Sequence, residues 1–425
     1  MQFIDFFAGI GGFRKGMELA GHKCVGFCEF DKFATASYIS MHLLTQKQRE
    51  SLEKVPLKKR QKEILKEEYR NGEWYANDIR RVYARDIPRA DCWCFGFPCQ
   101  DISVAGKQIG FQGNRSSLFF RVMYLIGQLE EENKPTYLFV ENVKNLLSVN
   151  GGWDFARLLV EMDREGYDAE WQVLNSKDFG VPQNRERCFI IGHLRGRSTA
   201  KVFPVEGTDG ENSVQIVGHK DGYRRNTQVF APEALDTGQG GERGHHVTLP
   251  CFIDLCYEGS QMTERARCLK ARYYKGMANH AGQDSGIAIP VLTPDRAEKR
   301  QNGRRFKDDG EPMFTLTGQD RHGVAIEVKE ATAKTLDTSC NQGIFVQVSD
   351  ELIVYAVWYE KLQCYIAIRK LTPKECFRLQ GWADDYFEKA AFVNSDSQLY
   401  KQAGNGVTVN VIFDIAKKLK EGVKD

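Results

Sequence analysis

Phe3-Ile4-Asp5-Phe6-Phe7-Ala8-Gly9-Ile10-Gly11-Gly12-Phe13 is a short apolar run followed by a glycine loop. Phe3 to Phe7 reads as a buried strand, and Phe13, Met17 and Ala20 then share one helical face before Gly21 stops the helix. Strand, glycine loop and helix form the unit that an open parallel sheet uses to hold a nucleotide-like ligand at the carboxyl ends of its strands. A dinucleotide fingerprint would need glycine three residues beyond Gly11, where Arg14 stands. That argues against NAD and leaves room for an adenosine ligand without a pyrophosphate. Cys24 to Cys28 reads as the second strand. Glu29 at its end, 18 residues after Gly11, is placed to accept hydrogen bonds from ribose hydroxyls. Asp78 is placed to accept from an adenine amino group.

Further along, strand-like and helix-like segments alternate as in a parallel α/β domain. Residues 43–75 interrupt the alternation with a stretch dense in Lys, Arg and Glu, in which Leu52, Val55, Ile64 and Leu65 are the sparse apolar positions. This reads as an exposed helical decoration rather than a nucleic-acid arm. The pattern resumes with strands ending near Phe97 and Val140 and a helix from Ser117 to Leu129. Ala169 to Leu174 and Arg187 to Gly192 read as a closing β-hairpin. From about Arg195 to Gln363 the texture turns to glycine-rich, short β pieces. Thr372-Pro373-Lys374-Glu375 is a capping box that restores the α/β texture. Gly404-Asn405-Gly406 is expected to turn into a final helix, Val407 to Leu419. The expected organisation is an α/β domain over 1–194, a β-rich insertion over 195–365, and a segment over 366–425 that completes the first domain.

The 425 residues carry a net charge of only +2, which does not announce a nucleic-acid partner. Charge is local instead: Arg265 to Lys275 and Arg296 to Lys307 are basic stretches, either phosphate-contacting loops or solvated surface. No apolar run approaches the ~18 to 20 residues of a membrane span, and no signal-like region precedes the first strand. A cytoplasmic protein without membrane contact is the expectation. The 12 cysteines are scattered singly, so reduced thiols are expected. Cys92, Cys94, Cys24 and Cys28 lack partners at zinc-finger spacing and read as buried thiols, leaving no metal site.

Gly96-Phe97-Pro98-Cys99-Gln100 ends a buried strand and leads into a polar, glycine-punctuated segment through Arg115. A cysteine after a proline at a strand end can present a thiolate to a cleft when a nearby positive group lowers its pKa. Glu141-Asn142-Val143 closes the next apolar run, and Gln183-Asn184-Arg185-Glu186-Arg187 follows.

The ordered set FIDFFAGIGGF, GFPCQ, ENV, QNRER, RKLTPKECFRLQGW and AGNGVTVNV resembles the cytosine-5 DNA methyltransferase family, over most of residues 1–192 and 369–411. The resemblance implies a Rossmann-like domain that uses S-adenosylmethionine, with an inserted β-rich target recognition domain. It implies that Cys99 adds to C6 of a flipped-out cytosine, Glu141 assists at N3, and Arg187 steadies the base with Arg185 close by. Phe7, Gly9, Gly11, Glu29, Asp78, Pro98, Asn405 and Val407 would line the cofactor site. Gly406 departs from the serine or alanine frequent there, which puts only a side-chain contact in doubt. Gln100, Ser103, Lys107 and Gln108 would belong to a loop closing on the minor groove. Arg272, Lys275, Arg304, Arg305 and Arg321 are the expected DNA contacts of the inserted domain. The implied partner is double-stranded DNA, met by a monomer with any restriction endonuclease acting separately. The competing readings are a tRNA-directed relative and a silent DNA-binding regulator; retention of Cys99, Glu141 and Arg187 speaks against the regulator.

Overall fold

The computed structural model describes residues 1–97, 118–197, 199–207 and 372–419, together with Cys268 and the ten strands β9 to β18 named below. The chain divides into two compact units. The first comprises Met1–Val181, Arg185–Gly210 and Phe377–Asp425; the second comprises Pro182–Asn184 and Glu211–Cys376.

The first unit begins β1 (Gln2–Phe6), α1 (Gly12–Leu19), β2 (Lys23–Cys28), α2 (Lys32–His42), α3 (Gln46–Glu53), α4 (Leu57–Glu63), β3 (Trp74–Ala76) and β4 (Cys92–Phe95). It continues with α5 (Leu118–Gly127), β5 (Tyr137–Val143), α6 (Trp153–Arg164) and β6 (Tyr167–Asn175), and after β7 (Gln183–Asn184, in the second unit) it adds β8 (Glu186–Leu194). The seven strands run in the order β3-β2-β1-β4-β5-β8-β6. The first five pair in parallel, while β8 lies antiparallel between β5 and β6. The predicted hairpin therefore closes the sheet with its second strand inside its first.

Period-2 alternation divides the core between the two faces of the sheet. Ile4, Phe6, Trp93, Phe95, Leu138 and Val140 face one way, onto Phe119, Val122 and Ile126 of α5. Phe3, Cys92, Cys94, Tyr137 and Phe139 face the other, onto Phe13 and Met17 of α1. Helices on both faces of a largely parallel sheet give the expected α/β class.

The chain returns through α7 (Pro373–Arg378), α8 (Asp384–Ala391), α9 (Asp396–Asn405) and α10 (Val409–Ala416). The predicted capping box is formed: Glu375 N–H donates to Thr372 Oγ1 (3.3 Å), and Thr372 N–H donates to Glu375 Oε2 (2.8 Å). Two expectations change here. Gly404 and Asn405 are not a turn but the last residues of α9, and the final helix starts at Val409 with Thr408 at its cap. α10 lies against α1, where a Cβ on Gly12 or Gly16 would come within 2.6 Å of Val407 Cγ1 or Ile412 Cβ. Only glycine permits that approach.

The insertion is helical, as read, but it is not a mere decoration. Leu52 and Ile64 are buried with Ala8, Phe27, Tyr38 and Val393 in one cluster. Each such burial stabilises by roughly 1.5–3 kcal/mol.

The second unit contains β9 (Gln215–Val217), β10 (Thr248–Pro250), β11 (Phe252–Leu255), β12 (Gln261–Thr263), β13 (Ala266–Arg267) and β14 (Asp284–Leu292), then β15 (His322–Val324), β16 (Gly343–Ser349), β17 (Leu352–Tyr359) and β18 (Cys364–Lys370). Its main sheet runs β12-β11-β14-β18-β17-β16, with β15 also on β14, and every one of those pairings is antiparallel. The change of texture at Arg195 precedes the break between units, because Val202, Phe203 and Val205 are still buried in the first core. The texture returns to α/β near 366, yet β18 still belongs to the second unit's sheet.

Candidate active site

The glycine loop leaves β1 through Phe7, which adopts a left-handed φ of 54°, as do Gly9 (56°) and Gly11 (86°). Ala8 N–H donates to Cys28 O (3.1 Å) and Gly11 N–H to Ala8 O (2.8 Å), so the loop is folded back onto β2. His42 Nε2 donates to Ile10 O at 2.9 Å from beneath. Burial holds this imidazole well below its ordinary pKa, with Arg14 adding to the effect, so it is a neutral donor. A Cβ on Gly11 would lie 2.4 Å from that nitrogen. Nothing in the sequence pointed to His42, because its partner is a backbone carbonyl 32 residues away. Arg14, which displaced the fingerprint glycine, turns into the core and pairs with Glu18 (2.8 Å) and Glu73 (2.7 Å).

Glu29 sits under the loop. Its Oε2 accepts from Gly9 N–H and its Oε1 from Asp31 N–H, each at 2.7 Å. Burial pushes its carboxyl up, against the pull of those two amides. Each oxygen keeps a second lone-pair site, so acceptor capacity for a ribose hydroxyl remains. Asp78 follows β3, the neighbouring strand, and grips Arg80 in a two-point pair at 2.9 and 2.8 Å. The Arg80 hydrogen bond holds its carboxyl below the usual range even though burial opposes it. An adenine amino group would have to share Asp78 with Arg80. Phe30, next to Glu29, is 72% exposed and lies 5.6 Å from the Arg80 guanidinium. Sequence reasoning passed over this residue, although an aromatic ring left in solvent beside a carboxylate with acceptor capacity suits an adenine face. A Cβ on Gly9 would meet nothing within 4 Å. Open space over the loop, two carboxylates at adjacent strand ends and a bare aromatic ring fit the adenosyl portion of S-adenosylmethionine.

Val407 packs on Gly12, and Asn405 ends α9 exposed. Arg185 holds this stretch from below: its Nη2 donates to Gly406 O (2.7 Å) and Gly404 O (3.3 Å). It was expected close to Arg187, helping at the base; its buried guanidinium reaches the α9 terminus. Beside it the Ser176 and Thr408 hydroxyls meet at 2.8 Å, Thr408 donates to Gln380 Oε1 (2.9 Å), and Gln380 Nε2 donates to Ala403 O (2.7 Å). Buried polar groups need such partners, and these ones fix the returning segment.

Glu141 and Arg187 come together at the ends of β5 and β8. Arg187 lies opposite Val143 on the antiparallel β5/β8 ladder, one diagonal step from Glu141 on the same face. Its Nε is 3.0 Å from Glu141 Oε1, and both side chains are largely buried. A Cβ on Gly96 would stand 3.1 Å from Glu141 Oε2, so the carboxylate sits directly beside the exit of β4. Asn142, quoted within its motif but given no role from sequence, donates from Nδ2 to Phe97 O at 3.1 Å. That bond ties the two strand ends immediately before Pro98 and Cys99.

Pro98, Cys99, Gln100, Ser103, Lys107 and Gln108 lie outside the described residues, as do Arg272, Lys275, Arg304, Arg305 and Arg321. Among the described residues no group of three His, Cys, Asp or Glu is arranged to hold a metal, and no helix is long and apolar enough to cross a membrane.

Known proteins share this architecture. The chain is 28% identical over 490 residues to the orphan methyltransferase M.SPRI of Bacillus phage SPR, covering 99% of this chain and 97% of that one. It is also 28% identical over 419 residues to the type II methyltransferase M.HhaI of Haemophilus parahaemolyticus, covering 98% and 93%. The fold resembles that of the Entamoeba histolytica methyltransferase EhMeth, with a TM-score of 0.52, 16% identity and coverage of 98% and 97%. The S. pombe Dnmt2 methyltransferase gives a TM-score of 0.51 at 15% identity, again covering 98% and 97%. The family model for C-5 cytosine-specific DNA methylase matches residues 1–421. Since that match runs through both parts of the interrupted α/β unit and the segment between them, the chain belongs to the family of C-5 cytosine-specific DNA methylases.

Proposed function

We propose that this chain methylates a cytosine flipped out of duplex DNA within a specific sequence, with Cys99 as nucleophile and Glu141 and Arg187 as the groups that hold and protonate the base. The observation that carries this reading is the Glu141–Arg187 pair beside Gly96, three residues before Cys99.

Cytosine C5 is a poor nucleophile until a thiolate adds to C6 and raises the electron density at C5. Cys99 forms that C6–S bond, while Glu141 supplies a proton at N3 so that the adduct carries no ring anion. Arg187 fixes the Glu141 carboxylate and offers its remaining donors to the base. Once C5 carries the methyl group, its proton passes to water, the electron pair re-forms the C5–C6 double bond and expels the Cys99 thiolate, and N3 returns its proton to Glu141. S-Adenosylmethionine supplies an electrophilic methyl group when bound; Glu29, Asp78, Phe30 and the Phe7 to Gly11 loop would hold its adenosine, and Asn405 and Val407 would flank it. Attack at C6 and C5 needs both ring faces, so the base must leave the stack, at a cost of a few kcal/mol.

The β-rich second unit is the recognition element in this reading, with Arg272, Lys275, Arg304, Arg305 and Arg321 on DNA and Gln100, Ser103, Lys107 and Gln108 closing on the minor groove. The enzyme acts as a cytoplasmic monomer. Membership in the family of C-5 cytosine-specific DNA methylases supports DNA as the substrate.

The test is base-resolved mapping of 5-methylcytosine in plasmid DNA from cells expressing wild-type or Cys99→Ser protein. A single methylated sequence motif, present only with the wild type, is expected. Methylation by Cys99→Ser at the normal rate would remove the covalent step, and 5-methylcytosine in tRNA alone would redirect the substrate.

A further inference from the structure

Residues 43–75 interrupt the cofactor half of the sheet, and the reaction does not call on them. Beside their ties to α1, α2 and β2, one set of their contacts meets at Phe392 to Asn394, the link between α8 and α9. Arg60 stacks its guanidinium 3.9 Å from the Phe392 ring and donates from Nη1 to Phe392 O at 2.7 Å. The same side chain donates from Nε to Leu52 O (2.9 Å) and Val55 O (3.2 Å), so one planar fork closes the α3–α4 turn and grips the link. Gln61 Nε2 donates to Val393 O (3.1 Å) and Asn394 Oδ1 (2.7 Å). Between these polar contacts Leu52, Ile64 and Val393 are buried together with Ala8 of the glycine loop.

The link in turn governs α9. Asn394 Nδ2 donates to Phe33 O and Ser37 Oγ on α2, each at 2.8 Å. Ser37 Oγ donates to Gln402 Oε1 (2.9 Å), and Gln402 Nε2 donates back to Phe33 O (3.0 Å). One residue earlier Lys401 pairs with Asp31, whose N–H holds Glu29. The path from Arg60 thus ends at both sides of the cofactor site: Glu29, and the α9 terminus at Asn405.

We propose that the insertion is a brace for cofactor binding, in which Arg60 and Gln61 are positioning residues that fix the α8–α9 link and through it the Asn405–Val407 edge of the site. This rests on the cofactor site assigned above. Without the brace the α9 terminus would sample other positions, and the cofactor would bear the ordering cost.

The test compares Arg60→Ala and Gln61→Ala with Lys58→Ala, a change at an exposed position on the same helix. Cofactor affinity is measured by calorimetry with S-adenosylmethionine, steady-state kinetics give KM and kcat, and hydrogen exchange reports on α9. Arg60→Ala is expected to weaken S-adenosylmethionine binding about fivefold or more, the size of a typical coupling between sites. KM for the cofactor should rise in parallel while kcat and DNA affinity hold, and amides of α9 should lose protection. Gln61→Ala removes contacts to the link alone and should show the same pattern more weakly; it serves if Arg60→Ala fails to fold. Unchanged cofactor affinity and α9 protection in folded variants would overturn the brace. If the wild type itself bound no S-adenosylmethionine, the site assignment would fall, and α9 protection would still decide for or against the brace.

Discussion

Gly96 carries a constraint that its motif does not spell out. Strand β4 must pass Glu141 so closely that a single methyl group would press on Oε2 at 3.1 Å. The side chain that must give is Glu141, whose other oxygen Arg187 holds at 3.0 Å, while Gly96 follows directly on β4. Gly96→Ala should therefore leave the fold and S-adenosylmethionine binding intact while lowering kcat by roughly tenfold to a hundredfold, since displacement of the group that meets N3 misaligns the reacting geometry. Single-turnover rates beside calorimetry check this; wild-type rates would mean that Glu141 has freedom the packing denies it. The buried thiols are a second matter at this scale. Burial pushes Cys24 and Cys188 up to about 12, leaving them protonated at neutral pH and unsuited to nucleophilic work.

Among the elements, α9 separates two roles for one arginine. Arg185 reaches Gly404 O and Gly406 O, so Arg185→Gln should raise KM for S-adenosylmethionine more than it lowers kcat. An arginine on the base would give the reverse split, with kcat falling and cofactor binding unchanged; steady-state kinetics varied in both substrates distinguish the two. This arginine also shows where sequence reading stops. Strand positions, the glycine loop and the capping box at Thr372 were legible, because apolar periodicity and local motifs encode them; the pairing of Glu141 with Arg187 was not, because it depends on the β5/β8 register. The tie from Arg185 to Gly406 spans more than two hundred residues, and its target is a carbonyl, which has no side-chain identity to read. The insertion misled for a similar reason. Leu52 and Ile64 are too sparse to mark a buried face, and Val393, which completes their cluster, is far away in the chain. The turn expected at Gly404-Asn405-Gly406 became a helix end because Gln380 and Arg185 supply partners for the Ala403 and Gly404 carbonyls of α9.

At the level of the whole molecule, the α/β unit is made of separated stretches and the β-rich unit is contained between them. With base reading in the β-rich unit, as proposed, recognition and chemistry would vary independently. Exchange of residues 211–371 for the corresponding segment of a relative is expected to move the methylated sequence motif to the donor's while leaving S-adenosylmethionine affinity unchanged. Mapping of 5-methylcytosine decides it, and a motif that stayed put would locate base reading in the α/β unit. The interruption also sets an order of events during synthesis. Helix α1 bares Gly12 and Gly16 to Val407 and Ile412, which are translated nearly four hundred residues later. At ~5–20 residues per second a ribosome leaves that surface uncovered for roughly 20–80 s. A nascent chain therefore carries Cys99 long before α10 can cover the glycine face of α1.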